Sequence, residues 1–177
     1  IYRSQGKNQQ SLAILKKNLK ICESYFSKDS EKLENILYFI SAIYLEIEDY
    51  ENVESYLIRL LKIQENKKEK NNIELANTLR ELVEVYLSKE NYNEAERYQL
   101  RVIDYLEREY GQNKFELASS LWTLGWIYYL QGRYSQSKAL LIKVLNLEEN
   151  HYGENNIELE NTIDLITRIN FKLEEYE

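Results

Sequence analysis

At 177 residues, 44% hydrophobic and 30% charged, the chain has ample apolar material for a core. Its net charge of −7 excludes the concentrated basic footprint of nucleic-acid binders, so no nucleic acid is expected among its partners. One cysteine (Cys22), one histidine (His151), no proline and 5 glycines leave no internal disulfide, no zinc site, no Cys–His pair, no glycine-rich phosphate loop and no proline-rich linker.

A period of 42 residues runs through the chain without insertion or deletion. Leu33, Leu75, Leu117 and Leu159 hold one position of it, Asp29, Asn71, Asn113 and Asn155 a second, and Tyr50, Tyr92, Tyr134 and Tyr176 a third. A fixed period of this length predicts a solenoid, whose units bury their apolar faces only by stacking on neighbours. The expected organisation is a single repeat array: a partial unit over 1–28, full units over 29–70, 71–112 and 113–154, and a partial unit over 155–177. Tyr2 aligns with Tyr44 and Tyr86, so the first unit begins near the end of its first helix.

The unit over 29–70 places Leu37, Ile40, Ser41 and Tyr44 on a first helix and Val53, Leu57 and Leu60 on a second. The run Lys67, Lys68, Lys70 reads as a solvated loop. In 71–112, Asn71 is the expected cap of a helix with Leu75, Leu79, Leu82 and Tyr86 on one face. Glu90 and Asn91 make the turn, Tyr92 opens a helix carrying Ala95, Val102 and Leu106, and Gly111 ends it.

The unit over 113–154 repeats the pattern. Asn113 is its candidate cap, and Leu117, Leu121, Leu124 and Tyr128 form the apolar face of the first helix. Gly132 and Arg133 turn the chain. Tyr134 and Ser135 open a second helix with Leu140, Leu141, Val144 and Leu145 inward, running to about Glu149. Tyr92 and Tyr134, at their helix starts, are expected to pack across the hairpin turn. Gly153 is expected to take the left-handed conformation past the helix end, and Asn155 to cap the next start. The last helix, 156–173, would leave Ile163, Ile166 and Ile169 partly uncovered. That reads as a fragment of a longer array, with self-association through the uncapped ends as the alternative.

The residues Leu121, Leu124-Gly125 and Tyr128, followed by Ser137, Leu141 and Val144, resemble the tetratricopeptide repeat family. The same positions read Leu37, Ile40-Ser41, Tyr44 and Leu79, Leu82-Val83, Tyr86 in the other units. Period alone would also fit HEAT or armadillo repeats; the Leu-Gly-Tyr spacing and the Gly-Arg-Tyr turn favour the tetratricopeptide pattern. Tyr110-Gly111 and Tyr152-Gly153, with the long second helix, resemble the kinesin-light-chain variety. The resemblance covers the whole chain and implies an all-α fold, a right-handed superhelical solenoid of antiparallel helix pairs. Val83 and Ile166 replace the small residue held by Gly125 and Ser41, which implies wider helix spacing in their units. Kinesin light chains hold cargo peptides with paired Asn residues. The matching positions here are Tyr38 and Phe39, Arg80 and Glu81, Trp122 and Thr123, Asp164 and Leu165, none of them Asn, so that mode of binding is not carried over.

What carries over is a concave surface lined by first helices, with a protein or peptide ligand as the expected partner. By position its candidate residues are Tyr38, Asn77, Arg80, Glu84, Trp122, Trp126, Tyr129, Asn161 and Arg168. Trp122, Trp126 and Tyr129 fall on one stripe, and clustered rigid aromatics mark interaction surfaces; the competing reading packs the Trp pair against the neighbouring repeat. The expected function is a protein-binding scaffold, in trans or as the docking array of a larger protein. The alternative is a regulator switched by a short signalling peptide held at Asn77 and Asn161. No catalytic, cofactor or metal-ligating residue is assigned, so no enzymatic activity is expected; His151 reads as a solvated loop residue. The most apolar run, Leu121–Leu130, is about half the length needed to cross a bilayer. No membrane association is expected, and a cytoplasmic location is.

Overall fold

The computed structural model describes residues 7–67, 72–111 and 114–174. Among these every regular element is helical. The chain divides into two compact units, Ile1–Lys89 and Glu90–Glu177.

In the first unit, α1 (Asn8–Tyr25) is followed by a single 3₁₀ turn at Glu31–Leu33, then α2 (Glu34–Glu46), α3 (Tyr50–Asn66) and α4 (Asn72–Ser88). Ser30 caps this 3₁₀ turn by accepting the Lys32 amide at 3.4 Å, while Asp29 pairs with Lys62 on α3 at 2.6 Å. Leu33 then drops into the core, where Leu37, Ile40 and Tyr44 of α2 meet Val53, Leu57 and Leu60 of α3. Each such large side chain contributes about 1.5–3 kcal/mol through apolar burial. Asp49 caps α3 by accepting the Asn52 amide at 3.2 Å, and Tyr50 is its first residue. Lys67 is no free loop cation: its ammonium lies 2.5 Å from Glu34, which raises its pKa against the opposing pull of burial. Lys68, Lys70 and the Asn71 cap lie outside the described residues, as do Tyr2, Asn113 and Tyr176.

The second unit runs α5 (Tyr92–Tyr110), a 3₁₀ turn at Phe115–Leu117, α6 (Ala118–Leu130), α7 (Tyr134–Tyr152), a 3₁₀ turn at Ile157–Leu159 and α8 (Glu160–Glu174). Tyr92 and Tyr134 open their helices as expected, and the Tyr134 ring lies 5.6 Å from Tyr129 across the turn. At the α6–α7 crossing Gly125 gives a close approach: an added Cβ would sit 3.0 Å from the Leu141 side chain, which would have to shift by a few tenths of an ångström. Ser137 donates to the Gly125 carbonyl at 2.6 Å, so the closest approach is also hydrogen-bonded.

Several expectations are corrected here. The second helix continues past Glu149 to Tyr152, which places His151 on a helix rather than in a loop. Gly153 has φ 94° and ψ 154°, outside the left-handed helical well and in territory open only to glycine. Asn156, not Asn155, caps the following turn by accepting the Glu158 amide at 3.0 Å; the 3₁₀ turn displaces the cap. Leu141 and Val144 are buried, whereas Leu140 and Leu145 are only half-buried. Of the three isoleucines of α8, Ile169 is fully buried, Ile166 half-buried and Ile163 exposed.

A clasp recurs one period apart. In the first unit Glu54 of α3 accepts the Tyr86 hydroxyl at 2.8 Å and the Lys89 ammonium at 2.7 Å. In the second, Glu96 of α5 accepts Gln131 at 2.9 Å and Arg133 at 2.7 Å. The Lys89 bond holds the Glu54 carboxyl below its ordinary range against burial. Burial pushes Glu96 the other way, and the bonds from Arg133 and Gln131 overcome it, leaving its pKa lowered too. A second helix thereby holds the end of the first helix that follows it.

Candidate functional site

Each unit contains a crevice, and the two are lined by corresponding positions two periods apart. In the first unit a crevice of about 550 Å³ lies between α2, the end of α3 and α4, lined by Asn35, Tyr38, Gln64, Glu74, Asn77 and Thr78 with Glu34, Phe39, Lys67 and Glu81. In the second, a crevice of about 500 Å³ lies between α6, α7 and α8, lined by Ser119, Trp122, Glu148, Glu158, Asn161 and Thr162 with Phe115, Ala118, Thr123 and Tyr152. Adding two periods turns Asn35 into Ser119, Tyr38 into Trp122, Gln64 into Glu148, Glu74 into Glu158, Asn77 into Asn161 and Thr78 into Thr162.

Both floors hold buried polar atoms with no hydrogen-bond partner. In the first crevice these are Gln64 Oε1 and Glu34 Oε1; in the second they are Glu148 Oε2, Trp122 Nε1 and Thr162 Oγ1. Such atoms are rare in folded proteins, since each leaves a desolvation cost of about 1–3 kcal/mol uncompensated. Burial also raises the Glu148 carboxyl pKa; the Thr162 hydroxyl beside it opposes the rise without making a hydrogen bond of good geometry. In the first crevice Glu81 is pushed up to about 7, by burial first and then by the charge of Glu84. Thr78 there is satisfied, donating to the Glu74 carbonyl at 3.1 Å.

The candidate residues read from the sequence distribute unevenly over this geometry. Tyr38 and Asn77 are exposed and share the first crevice; Trp122 and Asn161 share the second. Arg80 and Glu84 are exposed on α4 outside both, and Arg80 donates to Asn77 at 3.2 Å. Arg168 is exposed and paired with Asp164 at 2.8 Å. Trp122, Trp126 and Tyr129 do form one stripe, with ring centroids 6.2 and 5.3 Å apart and nearly parallel planes. The stripe is half-buried and rests on the cluster of Leu141, Leu165 and Ile169. It therefore seams α6 to α7 and α8, and Trp122 alone of the three lines the crevice.

Sequence reasoning missed the second-helix members, Gln64 and Glu148, because it searched first helices only. Their position reads Gln64, Leu106 and Glu148 and shows no recurrence; for the other missed lining residues a signal was available, since Glu74, Glu116 and Glu158 recur at one position, and Thr78, Ser120 and Thr162 at another. His151 is exposed and stacks on Phe115 with ring centroids 3.8 Å apart and planes 3° from parallel. Among the described residues no group of three or more His, Cys, Asp or Glu could hold a metal ion, and no helix is long and apolar enough to cross a membrane.

A search of curated protein sequences finds no match. Among solved structures, a Podosopora anserina putative kinesin light chain with nearly identical TPR-like repeats is similar, with TM-score 0.76 and 14% identity over 98% of this chain and 82% of that one. A variant of that same protein matches equally. BtubC (BKLC) from P. vanneervenii is more distant, with TM-score 0.62 and 9% identity over 93% of this chain and 71% of that one. At these identities the likeness is one of fold, an all-α solenoid of helix pairs. A family profile described as tetratricopeptide repeat matches residues 1–66 and 74–177. The chain belongs to the tetratricopeptide repeat family.

Proposed function

We propose that this chain is a protein-interaction module that holds a peptide or a helix of a partner along its first helices, with the two crevices as its principal contact points. Tetratricopeptide repeats generally mediate protein–protein interaction. The observation that carries the finer reading is the correspondence of the crevices. Each combines an exposed Asn (Asn77, Asn161), an aromatic rim (Tyr38, Trp122) and a buried unpartnered oxygen on the second helix (Gln64, Glu148). Exposed carboxamides can pair with a peptide backbone, the rings can cover apolar side chains, and the unpartnered oxygens await donors. Chemistry on a substrate needs more than this arrangement offers, and the module is read as a non-catalytic binder, acting in trans or docking another part of its own polypeptide.

A display selection of random 12-residue peptides on the 177-residue chain tests the reading. The expected result is a set of binders weakened about tenfold by Asn77→Ala or Asn161→Ala. Failure to enrich any binder, or binders indifferent to Tyr38, Asn77, Trp122 and Asn161 alike, would overturn it.

A further inference from the structure

We propose that the crevice between α6, α7 and α8 seats a lysine or arginine side chain from a basic segment of the partner protein. This inference rests on the protein-binding reading above and adds the chemistry of one contact.

Among the described residues the lining has Glu148 and Glu158 as its charged members and no Lys or Arg. Thr162 is 1% exposed with its hydroxyl beside the Glu148 carboxyl, yet neither Thr162 Oγ1 nor Glu148 Oε2 makes a hydrogen bond of good geometry. A carboxyl sheltered from water lowers its energy when a cation enters, and Glu158 on the same lining adds a second negative charge for it. An ammonium or guanidinium brings three or five donors, enough to reach Glu148, Glu158 and the Thr162 oxygen together.

The first unit supplies an internal template for that occupant. There Lys67 places its ammonium 2.5 Å from Glu34 and 3.7 Å from Glu74, inside the corresponding crevice. Two periods on, Glu74 becomes Glu158 and Lys67 becomes His151. His151 does not replace the lysine. It is exposed and stacked on Phe115, and it is absent from the crevice lining. Meanwhile the neutral Gln64 of the first crevice becomes the acidic Glu148 of the second. The first crevice carries Glu34, Glu74 and Glu81 with its own cation; the second, where Ala118 stands at the position of Glu34, carries Glu148 and Glu158 with no Lys or Arg.

Trp122 Nε1 separates a peptide from a free cation. An indole N–H only donates, so neither a metal ion nor a small amine satisfies it. A residue of a peptide does, by offering its side-chain cation to Glu148 and Glu158 and a backbone carbonyl to Trp122.

The test is a titration of the ¹⁵N-labelled chain with the capped pentapeptides Ac-Ala-Ala-Lys-Ala-Ala-NH₂ and Ac-Ala-Ala-Gln-Ala-Ala-NH₂ and with propylammonium, following the two indole N–H signals. Trp126→Phe removes one of the two and assigns the other to Trp122. The expected result is a saturable shift of the Trp122 signal by the Lys peptide, at least about tenfold tighter than the Gln peptide or propylammonium, and weakened about tenfold by Glu148→Gln/Glu158→Gln with the melting curve unchanged. Equal binding of Lys and Gln peptides, or Lys-peptide binding unaffected by the double variant, overturns the proposal. Selected 12-residue binders that lack basic residues and ignore Glu148 and Glu158 would also overturn it while leaving the protein-binding reading intact. An empty selection would instead remove that reading itself.

Discussion

Glu48 and Gly132, two periods apart, hold the same turn with the same backbone, at φ 56° and φ 74°. In both, the amide of the next residue reaches back to a helix carbonyl, Asp49 to Tyr44 and Arg133 to Tyr128, each at 2.9 Å. The amides of Glu48 and Gly132 themselves bond to Leu45 and Tyr129, each at 3.0 Å. This is the hydrogen-bond pair of a Schellman helix end, whose left-handed residue is ordinarily glycine. Glu90 takes it as well, at φ 55°. For a residue with a Cβ the conformation costs roughly 1–2 kcal/mol.

Glu48→Gly and Glu90→Gly should therefore each stabilise the chain by about 0.5–1 kcal/mol, the relief of strain exceeding glycine's entropy in the unfolded state. Gly132→Glu should cost a similar amount. Urea denaturation of the three variants measures it; destabilisation by both Glu→Gly changes would show that the glutamate side chains hold the turns in some other way.

The clasps give a second prediction. Glu54→Ala and Glu96→Ala should each cost about 1–3 kcal/mol at pH 7, because each strands donors that now have charged partners. The costs should add, since the two share no partner. Both carboxyls are held below 4.5, so their contribution is present above that pH and lost as pH falls below it. The cost of each variant should shrink as pH falls below 4.5. A cost unchanged between pH 7 and pH 3 would assign the loss to packing instead.

Glu81 has the opposite sign. Its carboxyl is protonated more readily in the folded chain, with a pKa raised to about 7 from 4.5. The stability this gives is full below pH 4.5 and lost as pH rises toward and through 7. Glu34, Lys67 and Glu74 line the same crevice, and Glu84 lies on the same helix. Glu81→Gln stays neutral throughout, so it should match wild type near pH 4 and exceed it at pH 8 by on the order of 1–3 kcal/mol. Denaturation at the two pH values decides it; an equal difference at both would remove the titration as its cause.

The tryptophan stripe can be tested by melting alone. Trp126 lies half-buried on Leu141, Leu165 and Ile169 and does not line the crevice. Trp126→Ala should cost about 2–4 kcal/mol, toward the low end of large-to-small changes because part of the ring is exposed. An unchanged melting temperature would return Trp126 to the binding surface.

How much of this could be read from the sequence depends on the range of the interactions concerned. The helices and turns were legible because local pattern sets them: Leu33, Leu117 and Leu159 enter the core where their first helices begin, Leu75 being only half-buried, and Tyr50, Tyr92 and Tyr134 each open a second helix. One cap slipped by a residue, from Asn155 to Asn156, because a 3₁₀ turn precedes the α-helix there. Helical position placed Trp122, Trp126 and Tyr129 on one face, but position cannot tell solvent from a neighbouring helix, and α7 and α8 supply the surface beneath them. Gln64 and Glu148 escaped notice for a related reason. They stand near the ends of second helices, and they matter only because the next first helix closes over them.

The clasps of Glu54 and Glu96 bear on how such an array can be rebuilt. Each acid belongs to one 42-residue unit of the sequence, and its donors lie in the helix end and turn of the unit after it. A repeat transplanted between arrays therefore carries half of two different ion pairs and completes neither. For recombination, the working cassette extends from a second helix through the following first helix. Grafts cut on that frame keep acid and base together, whereas grafts cut at the sequence period leave a half-buried carboxylate facing a stranger.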